Sequence, residues 1–83
     1  MDKTSGNVEF ELILQADIAE GIKVILEKVK DPEAFEPYAV RTVFNKARLN
    51  GTYTNNYKDA LRFYLAEIVK ELTLVIQEHK TLV

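Results

Sequence analysis

The stretch VEFELIL, residues 8–14, decides between two folds for this chain. As a strand, it places on one face the four apolar residues Val8, Phe10, Leu12 and Leu14. As a helix, it continues into DIAEGIKVILEKVK, residues 17–30, and its apolar residues then scatter around the helix surface. The alternation favours a strand, whereas the propensities of Glu, Leu, Gln and Ala favour a helix. We expect a short N-terminal strand over residues 8–14 that pairs across a dimer, with extra helical turns as the alternative.

Residues 17–30 carry the signals of an amphipathic helix. Asp17 and Glu20 have the spacing of a capping box. The apolar residues that follow recur at i, i+4, i+7 and i+11, as expected for one helical face: Ile18, Ile22, Ile25 and Val29. Gly21 inside such a helix would cost about 1 kcal/mol relative to alanine.

Two further helices are predicted after a joint that contains Pro32 and Pro37. The middle helix begins at Pro37 and runs to about residue 50, with Gly51 as a left-handed C-cap. The last helix covers about residues 57–80 and is capped by Thr54 or Asn56. The sequence therefore predicts a mainly α fold, a small bundle of three main helices in one domain over residues 1–83, with residues 1–7 flexible.

The last helix carries two overlapping apolar seams, which indicates that it is covered from two sides. The first seam serves the fold's own core. The second seam runs along Leu65, Val69, Leu72, Ile76, His79 and Val83, and its first four residues are the predicted oligomer interface. Leu65 and Leu72 belong to both seams, and His79 is interpreted as a packing residue. A chain of 83 residues without cysteine has a small core and no disulfide, so a second copy is the natural partner. We expect a homodimer.

Charge is distributed unevenly along the chain. Residues 1–36 hold nine acids against four lysines, residues 37–66 hold five basic residues against one acid, and residues 67–83 carry three acids against two lysines. Such asymmetry is typical of a binding surface, and it equally lets one part of a fold attract another.

The basic segment supplies the candidate partner-binding residues. On the predicted middle helix, Arg41, Asn45 and Arg48 share one face. The complete predicted set is Arg41, Asn45, Arg48, Tyr53, Lys58 and Arg62. Guanidinium groups bind carboxylates or phosphates, and exposed tyrosines anchor protein interfaces. The alternatives are an ordinary solvated face, or a face that the acidic first third covers within the fold or across a dimer.

Catalytic, metal and cofactor sites are not expected. The chain has no cysteine, one serine (Ser5) and one histidine (His79), so the nucleophile-and-base pairs of hydrolases are missing. No glycine-rich phosphate loop is present. Glu67 and Glu71 share a helix face without the Glu-x-x-His spacing of di-iron bundles.

These observations predict a non-enzymatic protein-binding or regulatory module, an adaptor or inhibitor, that acts as a homo-oligomer and binds an acidic protein through the basic, Tyr- and Asn-rich segment. The alternative is nucleic-acid binding by the same segment, which a pI near 5.4 opposes. A cytoplasmic protein without membrane contact is expected, because no apolar run reaches about 18 residues and no apolar stretch of a signal peptide follows MDKTSGN.

Overall fold

The computed structural model describes residues 9–49 and 51–82, with side chains placed up to residue 78. Within these residues, five strands form one antiparallel sheet, and a single helix follows them. The elements are β1 (Phe10–Ala19), β2 (Ile22–Val29), β3 (Tyr38–Phe44), β4 (Ala47–Arg48), β5 (Thr52–Thr54) and α1 (Tyr57–Leu82). The prediction of a three-helix bundle is therefore wrong. The predicted flexibility of residues 1–7 concerns residues outside those described.

The two predicted helices over residues 17–50 are replaced by strands β2 and β3 at the centre of the sheet. Every β2 residue from Val24 to Glu27 is buried, because β2 has a neighbour on both sides and side chains packed on both faces. A strand buried on both faces loses its alternation, so a continuous apolar run can match a helical spacing by coincidence. The β-branched and aromatic residues of IKVILEKV and YAVRTVF favour the strand that forms.

The opening stretch VEFELIL is a strand from Phe10 onward, but it pairs with β2 of its own chain and continues to Ala19. The register shifts between Leu12 and Leu14. Phe10 and Leu12 consequently lie on the opposite face of the sheet from Leu14, because a bulge adds one residue and reverses the alternation. The expectation of one shared apolar face is wrong for this reason, and Val8 lies outside the described residues.

Two tight turns join the strands at the same end of the sheet. Gly21, expected inside a helix, lies in the β1–β2 turn with φ +80°. Asn45 and Lys46 form the two-residue β3–β4 turn with φ values of 50° and 72°, the left-handed pair that a tight hairpin requires. The Asn45 amide donates to the Gly21 carbonyl oxygen at 2.7 Å, so the two turns support each other.

The fourth position of the sheet is an interrupted edge made of β4 and β5, both paired with β3. Gly51 lies between these strands, where the expected C-cap of the middle helix would be. A Cβ atom at Gly51 would be 2.5 Å from the Val40 carbonyl oxygen. Glycine is required there because the chain passes directly against β3, and not because of a left-handed backbone.

The last helix agrees with its prediction, since residues 57–80 were expected and α1 spans Tyr57–Leu82. The Asp59 amide donates to the Asn56 side-chain oxygen at 3.1 Å, which makes Asn56 the N-cap. Thr54 contributes one step earlier, because its hydroxyl accepts from the Asn56 amide at 3.2 Å.

Helix α1 covers one face of the sheet. Val24, Leu26 and Val40 pack there against Ala60 and Tyr64 of the helix. Burial raises the pKa of the Tyr64 phenol above its usual value. The residues that alternate with these along β2 and β3 face the other way. We call that second surface the open face, because no helix covers it within the described residues.

Candidate interaction surfaces

The open face is held together by a buried carboxylate. Glu27 points away from α1 because its neighbour Leu26 lies in the helix-side core. The Glu27 side chain is 4% exposed, and the Arg41 Nε atom donates to its Oε2 atom at 2.8 Å. Burying one of these charges without the other would be costly, so each accounts for the presence of its partner.

Arg41 is fully engaged inside the protein. Besides Glu27, its Nη1 atom donates to the Leu49 carbonyl oxygen at 3.1 Å and its Nη2 atom to the Tyr53 hydroxyl at 2.8 Å. The carbon centre of the guanidinium also lies 5.6 Å from the centroid of the Tyr53 ring. Arg41 consequently links Leu49 and Tyr53 to the centre of the sheet.

Arg48 binds the same carboxylate from the edge of the sheet. Its Nη1 atom donates to Glu27 Oε1 at 3.2 Å, and its Nη2 atom donates to Glu27 Oε2. The Phe10 ring covers both cations, with its centroid 5.1 Å from the Arg48 guanidinium carbon and 5.4 Å from that of Arg41. Cation–π contacts of this kind add attraction where the guanidiniums are shielded from water.

This cluster is suited to structure and recognition more than to catalysis. Both oxygens of Glu27 accept hydrogen bonds from guanidinium groups, so the carboxylate is not a free base. Two positive charges against one negative charge leave an excess of +1. The Arg48 side chain remains 44% exposed, so that excess is accessible to an anionic group of a partner.

A shallow groove of about 310 Å³ adjoins Arg48 on the open face. Ile25 and Val43 are buried beneath it, and Lys23 and Arg48 contribute positive charge. Its described lining is therefore apolar at the base and cationic at the rim.

The six residues predicted to bind a partner do not form one surface. Arg41, Arg48 and Tyr53 come together on the open face, where Arg41 is only 8% exposed. Asn45 lies in the β3–β4 turn. Lys58 and Arg62 lie in the first turns of α1, on the other side of the sheet. The expected helical face of Arg41, Asn45 and Arg48 does not exist, because these residues lie in a strand, a turn and a second strand.

The predicted oligomer-interface residues do form one continuous surface. At 100° per residue they fall within an arc of about 60° on α1. All four are 41–61% exposed: Leu65, Val69, Leu72 and Ile76. We call this set the stripe. Leu61, Ile68 and Val75 of the first seam are half-buried, so the two seams face different surroundings. Contiguous exposed apolar surface of this kind is typical of an interaction site.

Sequence reasoning missed Glu27 and Phe10 as members of the open-face cluster. Glu27 falls in the segment 17–30 that the sequence predicts as a helix, and that prediction names no partner for it. A usable signal was present, since Glu27 is the single acid in the otherwise apolar or basic strand IKVILEKV. An acid inside such a run requires a cation when the run is a central strand.

The described part of the chain contains neither a candidate metal site nor a helix suited to span a membrane. Residues 9–49 and 51–82 contain no group of three His, Cys, Asp or Glu side chains arranged to hold a metal ion. In the same residues, no helix is both long and apolar enough to cross a bilayer. The side chain of His79 lies beyond the described side chains.

Comparison of the chain with protein-family models, with curated proteins and with solved structures found no match.

Proposed function

We propose that this protein is a non-enzymatic protein-binding module that acts as a homodimer in the cytoplasm. The observation that carries the proposal is the stripe on α1. Large apolar side chains exposed by 41–61% along one line of a helix are stabilised when a second protein surface removes them from water.

The second surface of the module is the open face around Arg48 and Tyr53. Its excess positive charge and the apolar base of its groove favour an acidic protein with apolar side chains among its carboxylates. Of the predicted partner-binding residues, we retain Arg48 and Tyr53 for this role. Arg41 supports them from beneath through its bond to the Tyr53 hydroxyl.

The nucleic-acid alternative has less support from this geometry. Arg41 is buried, and Arg48 shares the Glu27 carboxylate with it, so the largest cluster of positive charge is partly neutralised. Lys58 and Arg62 lie on a different side of the sheet. Titration with labelled RNA and DNA at low and moderate salt is expected to show no binding that weakens steeply with salt. Binding lost in the exposed-site variant Lys58→Glu/Arg62→Glu would favour the alternative.

Light scattering of the purified chain at tens of micromolar tests the proposal. The wild type is expected to have the mass of a dimer. The variant Val69→Glu/Ile76→Glu is expected to be a folded monomer with unchanged helical circular dichroism, because both residues are exposed in the single chain.

A matched control comes from the other flank of the helix. Phe63 and Leu74 are 41% and 51% exposed but lie outside the stripe. The variant Phe63→Glu/Leu74→Glu introduces the same two charges and is expected to remain dimeric. A monomeric wild type, or equal loss of the dimer in both variants, would contradict the proposal.

A further inference from the structure

Helix α1 extends well beyond the sheet that it covers. The Thr42 hydroxyl donates to the Glu67 carboxylate at 2.6 Å, which aligns these two positions. Beyond them, β3 has two more residues, whereas α1 continues for fifteen. The two remaining residues of β3 extend about 7 Å, whereas the fifteen remaining residues of α1 extend about 22 Å. The turns at this end, with Gly21 and Asn45, close the sheet there.

The projecting half of α1 is apolar but has little beneath it. Its exposed large side chains include Leu72, Leu74 and Ile76. The segment beyond Glu71 continues a packed helix, so it needs no nucleus of its own. Its exposed apolar side chains would be stabilised by a surface that removes them from water.

The sheet, in turn, is only partly covered by α1 on its β1 side. Four strand positions span about 14 Å, whereas one helix is about 10 Å wide. Helix α1 packs mainly on β2 and β3. Toward β1, Leu14 remains 38% exposed, and the helix-side residues Ile13, Ala16 and Ile18 are only half-buried.

The stripe lies on the side of α1 that faces β1. On the helix surface it is about 170° from Glu67, which accepts the hydrogen bond from Thr42 of β3. Next to the stripe, Leu61 and Ile68 pack against the same core as Ile13, Ala16 and Ile18 of β1. We call the apolar surface between the stripe and the helix-side residues of β1 the β1-side groove.

Resting on the homodimer proposed above, we infer that this groove receives α1 of a second copy in antiparallel orientation. The projecting half of each helix then lies over the partly covered β1 side of the other copy's sheet, so one arrangement buries the exposed apolar side chains of both. With the centre between Val69 and Leu72, Leu65 faces Ile76 of the second copy.

Orientation follows from the surroundings of the two ends of the helix. A parallel pair would leave the projecting halves in contact only with each other. It would also place the positive N-terminal ends of both helices side by side, with a net positive charge from each chain because Lys58 and Arg62 outnumber Asp59. The antiparallel pair separates these charges and sets the helix dipoles in opposite directions.

Disulfide trapping tests the orientation cleanly, because the chain has no cysteine of its own. Leu65→Cys and Ile76→Cys are made separately, one with a mass tag, then mixed and oxidised. A disulfide needs Cα atoms about 4.4–6.8 Å apart. In the antiparallel dimer, the mixed product is expected to exceed each self-product at least tenfold, because two copies of position 65 are about 16 Å apart along the axis. Leu74→Cys, outside the stripe, is expected to give no cross-link.

A second arm tests the contact with β1. Leu14→Lys is expected to raise the dimer Kd at least tenfold while the single chain stays folded by circular dichroism. An unchanged Kd would show that the helix of the second copy does not lie over β1.

The outcomes separate this inference from the proposal beneath it. A monomeric wild type by light scattering overturns the homodimer itself. A dimeric wild type with predominant 65–65 and 76–76 products overturns only the antiparallel orientation. A dimer without any cross-link at these positions shows that another surface is used, and the inference fails.

Discussion

The Glu27 carboxylate and the Arg41 guanidinium meet on the face of the sheet opposite α1, with Nε and Oε2 2.8 Å apart and both side chains more than nine-tenths buried. No described helix covers this face of the sheet. Instead, Arg48, Tyr53 and Phe10 pack around the pair and shield it from water.

Glu27→Gln is expected to lower the free energy of unfolding by about 3–5 kcal/mol, because it leaves two guanidiniums without their shared anion. Urea denaturation followed by circular dichroism measures the change. Glu36→Gln, at an exposed position, is the matched control and is expected to change the free energy by less than about 0.5 kcal/mol. Equal effects of the two substitutions would show that the cluster does not stabilise the fold.

Gly21→Ala is expected to cost about 1–3 kcal/mol of stability. The backbone there has φ +80°, and an added Cβ would collide with the Asn45 side-chain oxygen. Introducing Gly21→Ala into an Asn45→Gly background separates the two causes, because only the backbone strain then remains. The cost should be smaller in that background. An undiminished cost would exclude the contact with Asn45 as a contributor.

Tyr64 is expected to make stability depend on pH above about 10. Burial raises the pKa of its phenol in the folded protein above the usual value of 10.0. The stability that the neutral Tyr64 phenol contributes is therefore complete below pH 10.0. It is lost as the pH rises from 10.0 through the raised pKa of the folded protein, because Tyr64 ionises first in the unfolded chain. Tyr64→Phe should flatten this alkaline decline in urea midpoints measured between pH 8 and 11. An alkaline decline of the same size in Tyr64→Phe would show that the Tyr64 phenol is not its cause.

Asn56→Ala is expected to destabilise the protein by about 1 kcal/mol through loss of the N-cap of α1. Its side-chain oxygen accepts the Asp59 amide at 3.1 Å, whereas the neighbouring Asn55 is exposed and plays no part in that cap. Asn55→Ala therefore serves as the control in thermal unfolding. A larger loss of stability in Asn55→Ala than in Asn56→Ala would show that Asn56 is not the N-cap.

Several elements were accessible from the sequence because they depend on neighbours in the chain. The last helix has a local cap at Asn56 and a regular apolar spacing, and both survive in the fold. The strand character of Phe10–Leu14 was also visible in its alternation, although the bulge near Ile13 redirected Leu14 to the other face. The sequence predicts two apolar seams on α1, and in the fold the stripe is exposed whereas Leu61, Ile68 and Val75 are half-buried.

The central strands could not be assigned in the same way. Ile18, Ile22, Ile25 and Val29 repeat at helical intervals, yet they lie in two antiparallel strands joined at Gly21. For a segment buried on both faces, the environment that selects the strand comes from β1 and β3 and not from its own pattern.

The sequence by itself determined the capped amphipathic helix, its two apolar seams and the uneven distribution of charge, because these properties follow from residues close together in the chain. Only the tertiary structure decided that Glu27 would bind both Arg41 and Arg48, which are fourteen and twenty-one positions away. The physical reason is that a buried charge selects its partner in space. The sheet register that brings these side chains to one face is fixed by hydrogen bonds between strands and not by local propensity.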